Sequence, residues 1–289
     1  MALSPIPVHE PQFFQNLKIP PLPKAIADVY AAVQAGKGPH EVAPLIAKDV
    51  AFSAHILRMV NSAYYALPAP VSNVRMAVAY LGLGEVARMA LALSVVDTLA
   101  PPDKGMVRRF WLHGYYTALV AKYLARRLRP RVSEIDDLYA AALLHDLGQL
   151  AYARCFPAHT KVLHEEAKRD RIPLSEAERR HDLPTSARLG MMVADHWRLS
   201  PTIRRACQVS DRPLSELEPW PKSEALDLLV VVSHHLTGLA GDELSAEHKD
   251  QIASEVRRIL GEDEDQFLLL MGDVYELKLK AESAVTAML

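Results

Sequence analysis

Little in this chain points outward. Glycine is scarce, 12 of 289 residues, and half of the residues are hydrophobic, so extensive disorder is not expected. Aromatics make up only 7% while Ala and Leu dominate, which favours helix over sheet. Cysteine is almost missing. Cys155 and Cys207 lie far apart, which excludes a disulfide framework and a CxxC zinc site and fits a reducing compartment. There is no basic excess. A formal net charge of −2 leaves no electrostatic footprint for direct nucleic-acid binding. Long apolar runs are absent too. Leu226 to Val232 is interrupted by Asp227 and falls far short of the roughly 20 residues of a membrane span. The first seven residues show neither a charged nor a long apolar region, so no secretory signal is expected. Together these absences predict a soluble, cytoplasmic, bacterial-type protein with no membrane partner.

What is present is helical periodicity. Residues 1–16 read as an extended tail held open by Pro5, Pro7 and Pro11, with Phe13 and Phe14 at its end. Residues 17–289 read as one domain of two packed helical lobes, 17–100 and 101–289, with Pro101-Pro102-Asp103-Lys104-Gly105 as the internal boundary. In the first lobe, helices are expected over about 24–34 and 40–48. A third is capped by Asp49 and continues through Asn61-Ser62-Ala63-Tyr64-Tyr65. A fourth, Val74 to Leu81, is capped by Ser72 or Asn73. Asn61, Ser62, Tyr64 and Tyr65 are read as hydrogen-bonding the lobe together. In the second lobe a long helix, Met106 to Leu128, ends in a cluster of arginines suited to a helix C-terminus. Ser133 and Asp136 resemble a capping box for the next helix. The fold class is all-α.

One stretch organises the second lobe, Ala140-Ala-Ala-Leu-Leu-His145-Asp146-Leu147-Gly148. Leu138, Ala141, Ala142 and His145 share one helical face, the face that enters a core. A histidine and a carboxylate buried there need partners, because an unpaired buried polar group costs roughly 1–3 kcal/mol. Gly148 need not stop this helix, which is expected to run on towards Phe156-Pro157. His113 also sits on the inward face of its helix. His234 and His235 are adjacent on a third helix, so at most one of them faces a common site.

Two blocks of sequence carry a family resemblance. The first runs Ile19-Pro-Pro-Leu-Pro, Leu45-Ile-Ala-Lys-Asp49, Ile56 to Tyr65 and Ala77-Val-Ala-Tyr-Leu-Gly82. The second is Phe110-Trp-Leu-His113, Ala142 to Gly148 and Gly190 to Trp197. Over about residues 15–215 the chain resembles the HDOD domain, a bacterial signalling-associated relative of the HD metal-dependent phosphohydrolases. The resemblance implies an HD-like helical bundle in the second lobe. It also implies a ligand set of a His, a His-Asp pair and a distant Asp, which would hold divalent ions that activate water. Here His113 matches the first and His145-Asp146 the pair. No Asp stands at the distant position; His235 is the nearest candidate and Asp227 lies about two turns away. The region Cys207-Gln-Val-Ser-Asp211 lacks the His-His pair of binuclear relatives. Gln149 stands where many HD enzymes carry Lys, and Lys161 is the nearest cation in sequence. The expected site is therefore a degenerate metal centre of His113, His145 and Asp146, with His235 as a fourth member and no catalytic residue assigned. No cofactor is expected, with a divalent Fe, Mn or Mg ion as the alternative. The expected function is non-catalytic signal transduction through contacts with other signalling proteins. The alternatives are a divalent-metal phosphohydrolase and a nucleotide sensor that binds without turnover.

Overall fold

The computed structural model describes residues 19–48, 50–61, 67, 69–130 and 137–288. Every regular element among them is a helix, so the fold is all-α. The tail 1–16 with Phe13 and Phe14, the Asp49 cap, Ser62, Tyr64, Tyr65, and the Ser133–Asp136 box lie outside the described residues. No single helix among them is long and apolar enough to cross a membrane. The chain divides into two compact units, one of Pro20–Ala100 with Leu279–Leu289, the other chiefly of Pro101–Lys278.

The first unit contains α1 (Lys24–Gln34), α2 (Pro39–Ala47), α3 (Val50–Val60), α4 (Val74–Leu81) and α5 (Leu83–Leu99). In α1, Ile26 and Val29 are buried one turn apart, while Lys24 and Asp28 pair at 2.7 Å on the exposed side. Asn73 caps α4 by accepting from the Met76 amide at 2.9 Å. Gly82, at φ +84°, turns the chain sharply into α5. Asn61 binds the lobe as expected. Its amide group donates to the Val71 carbonyl at 2.8 Å and accepts from the Val71 amide at 2.7 Å, bridging the segment between α3 and α4.

The second unit begins with α6 (Lys104–Leu128), followed by α7 (Leu138–Leu144), α8 (Leu147–Cys155), α9 (Pro157–Asp170), α10 (Leu174–Arg180), α11 (Ser186–His196), α12 (Pro201–Val209), α13 (Ala225–Leu239), α14 (Ala246–Leu260) and the greater part of α15 (Glu264–Met288). Helix α6 is the axis, packed against α7 and α13. Asp103 caps it, accepting from the amides of Gly105 and Met106. Arg127 near its C-terminus pairs with Glu262 at 2.7 Å rather than standing free for an anion. Two glycine contacts set the spacing. A Cβ on Gly114 would overlap the Leu143 carbonyl, which lets α7 lie close on α6. A Cβ on Gly148 would overlap the Ser186 carbonyl and come within 2.7 Å of the Gly190 amide, so α8 and α11 meet backbone to backbone. Asp227 near the start of α13 is buried and held by Arg205 (2.9 and 2.5 Å) and Arg212 (3.3 Å), which ties α12 to α13.

A buried acid lies beside α11. Glu178 is 1% exposed and accepts hydrogen bonds from the Ser186 amide (2.9 Å) and the Ser186 hydroxyl. Burial pushes its carboxyl up to about 7; the Ser186 donors oppose this, while Asp211 and Asp146 add to it. The folded chain therefore keeps this proton to higher pH than the unfolded chain does. The stability from this group is complete below about pH 4.5 and drains as pH rises through about 7, by roughly 3 kcal/mol in all. Glu178→Gln keeps a carbonyl for the Ser186 amide and removes the titration. Urea unfolding at pH 5 and pH 8 should show the wild type losing stability across that interval and the variant losing markedly less. Parallel losses would mean that Glu178 is ionised throughout.

Candidate metal centre

The expected continuous helix through Gly148 is broken. Helix α7 ends at Leu144 with His145 as its C-cap, and α8 starts at Leu147 after Asp146, whose φ of −97° and ψ of 22° lie in the bridge region. The break has a geometric consequence. Neighbours on an unbroken helix point about 100° apart. The kink at Asp146 lets two consecutive side chains, His145 and Asp146, turn towards one point. Gly148 sits inside the first turn of α8 and serves packing rather than termination.

Four ligand atoms converge there: His113 Nε2 from α6, His145 Nε2 and Asp146 Oδ2 from the α7–α8 junction, and His234 Nδ1 from α13. The imidazole nitrogens stand at 3.2 Å (His113–His145), 3.1 Å (His113–His234) and 2.9 Å (His145–His234). Asp146 Oδ2 lies 3.2, 3.5 and 3.9 Å from those of His113, His145 and His234. His145 and Asp146 are buried, while the side chains of His113 and His234 keep 30% and 29% exposure and open the cluster to solvent on one side.

His235, the expected fourth member, is not part of the cluster. Its Nδ1 donates to the Val231 carbonyl at 2.9 Å along its own helix, and His234 takes the inward position. The reason is helix phase. His234 lies on the face of α13 that carries Thr237, and His113 on the face of α6 that carries Thr117. The two threonine hydroxyls meet at 3.4 Å. That Thr-to-His spacing was the available signal. It was masked because Leu228 to Ser233 is buried throughout, which erases the periodicity. Asp227 is committed to Arg205 and Arg212. Lys161 is an exposed partner of Glu165 and brings no charge to the cluster. Gln149 donates to Asp146 Oδ2 at 2.7 Å and steadies the carboxylate without adding charge.

Protonation is set by the surroundings. His145 Nδ1 faces the Ala142 carbonyl at 2.7 Å. A carbonyl only accepts, so Nδ1 carries the proton and, in the neutral ring, Nε2 points its lone pair into the cluster. Burial pushes His145 below the ordinary imidazole value and His234 well below it, against the pull of Asp146. Burial alone would raise Asp146. The neighbouring His145, His113 and His234 outweigh it and hold the carboxyl well below the usual carboxylate range. Imidazole lone pairs beside a carboxylate are the donor set that binds a metal.

Hydrogen bonding alone cannot satisfy this arrangement. Each inward nitrogen presents either a proton or a lone pair, and all three are mutually within 3.2 Å. With three atoms and two states, at least one pair must match, proton against proton or lone pair against lone pair. A cation at the centre accepts all three lone pairs and the carboxylate at once. Metal–nitrogen and metal–carboxylate bonds of about 2.0–2.2 Å set tetrahedral ligands about 3.3–3.6 Å apart, and the observed separations of 2.9–3.9 Å bracket that range. The donor set therefore fits a divalent metal ion.

The sequence pattern of the HDOD domain family matches residues 19–213. An uncharacterized protein of Treponema pallidum (strain Nichols) is 25% identical over 185 residues, 63% of this chain, and the match spans only about a third, 35%, of that relative. A crystal structure of a candidate phosphohydrolase from Shewanella amazonensis SB2B superposes with a TM-score of 0.74 at 20% identity, covering 97% of this chain and 99% of that one. A candidate signal transduction protein from Marinobacter aquaeolei VT8 gives 0.70 at 22% identity, covering 100% of this chain and 62% of that one. At such identities these likenesses establish the shared helical fold.

Proposed function

The chain belongs to the HDOD domain family, and on that premise we propose that it is a non-catalytic regulator of signal transduction that acts through contacts with other proteins. Its His/Asp cluster serves as a structural centre where a divalent ion ties α6, α7, α8 and α13 together. The observation that carries the metal is the triangle of imidazole nitrogens, which only a shared cation satisfies completely. When bound, the ion supplies the positive charge that lets four donors share one point. His145 keeps its proton on the Ala142 side, Gln149 orients Asp146, and His113 and His234 close the set from the two flanking helices.

Two features support a structural role over turnover. Among the described residues the ion-pair partners of Asp146 are its three histidines, and Gln149 contributes no charge, so no Lys or Arg pairs with the cluster's carboxylate. The neighbouring cavity bordered by Gln149, Tyr152, Glu178 and Ser186 has a volume of only about 10 Å³ and is lined by none of the four cluster ligands, far below the roughly 300–1,000 Å³ of small-molecule sites. The second reading, a metal-dependent phosphohydrolase, draws on the solvent-facing edges of His113 and His234, and the Shewanella amazonensis neighbour is described as a candidate phosphohydrolase. An assay separates the two. The full chain, loaded in turn with Mn²⁺, Fe²⁺, Mg²⁺ and Zn²⁺, is incubated with a cyclic dinucleotide and a chromogenic phosphodiester. Turnover at the level of metal and buffer alone is expected. Turnover that His145→Ala abolishes while helical circular dichroism survives would establish the enzyme instead.

A further inference from the structure

Three of the four donors in this centre are imidazoles, and the fourth, Asp146, is its one carboxylate. We propose that His234 is the specificity-determining ligand. As the third imidazole of the set, it selects a borderline transition-metal cation such as Zn²⁺ and turns the site away from Mn²⁺ and Mg²⁺. This inference rests on the reading of the cluster as a metal centre.

Ligand chemistry carries the argument. Carboxylate, carbonyl and water oxygens suit the hard ions Mg²⁺ and Mn²⁺, while imidazole suits Zn²⁺, Cu²⁺, Ni²⁺ and Fe²⁺. An all-protein donor set also disfavours Mg²⁺, which sheds its water reluctantly. The geometry commits two of the rings. His145 cannot swing away without giving up its 2.7 Å bond to the Ala142 carbonyl. His234 is held by a helix in which Thr237, one turn on, caps back to the His234 carbonyl at 2.7 Å and meets Thr117 of α6. His235, which already donates to Val231, is not available to replace it. The single carboxylate leaves the site with one negative charge, too little to compensate a hard dication by charge alone. A carboxylate at 234 would add a second charge and a second hard oxygen.

The test is competitive metal binding to the full chain stripped with a chelator and dialysed against Zn²⁺, Mn²⁺ and Mg²⁺ singly and in pairs, with bound metal counted by elemental analysis. One equivalent of Zn²⁺ is expected, preferred over Mn²⁺ by at least ~100-fold, with Mg²⁺ weaker still. In His234→Asp the Zn²⁺ to Mn²⁺ ratio should fall by ~10-fold or more. A wild-type ratio below ~100 overturns the proposal whether or not the variant folds. So does a ratio that His234→Asp leaves unchanged in a protein with native circular dichroism. Absence of all three metals from the stripped and reloaded wild type overturns the metal-centre reading itself, which distinguishes the two failures.

Discussion

Gly148→Ala should cost more than about 3 kcal/mol in urea unfolding, the upper end of what overpacking does in cores. The added Cβ would overlap the Ser186 carbonyl and crowd the Gly190 amide, all backbone atoms, so no side-chain rotation relieves it. Helices α8 and α11 must separate, and α8 begins directly after Asp146, so the His/Asp cluster would be disturbed as well. Gly272→Ala is the matched control. That glycine lies within α15, where an added methyl group would meet nothing within 4 Å, and alanine there should stabilise by up to about 1 kcal/mol through helix propensity. If both substitutions behave alike, the close contact between α8 and α11 is wrong.

His145→Ala is the second large effect. The ring is fully buried, gives a hydrogen bond to the Ala142 carbonyl and faces both partner imidazoles. Its removal leaves a cavity and takes one partner from the buried Asp146. A loss of about 3 kcal/mol is expected from the cavity and the broken bonds together. Denaturant unfolding measures it, and a change under about 1 kcal/mol would show that the cluster does not hold the helices.

The helices were largely legible because their punctuation is chemical. Asn73 and Thr185 each cap with their own side chain, and Pro201 opens a helix at its first turn; Pro157, expected only as a break, opens a helix as well. His113, His145 and Asp146 were legible from the family pattern and from the apolar faces that carry them. Two features were not. The break at His145-Asp146 falls in an apolar run with no proline to mark it, and Asp146, though at the N-cap of α8, makes no side-chain capping bond; the break depends on how α8 packs against α11. The choice of His234 over His235 depends on the rotation of a helix that is buried through most of its length, where periodicity carries no phase. Tertiary packing decides both.

The most direct test of the proposed structural metal centre is thermal unfolding of the full chain before chelation, after it, and after return of one equivalent of Zn²⁺, with His145→Ala run alongside. A bound ion stabilises the folded state by mass action, so the wild-type midpoint should fall by roughly 5 °C or more on chelation and recover with Zn²⁺. The midpoint of His145→Ala should stay where it is through both steps. A wild-type midpoint indifferent to chelator and to Zn²⁺ would contradict the account, leaving the three histidines and Asp146 as a cluster that holds no metal.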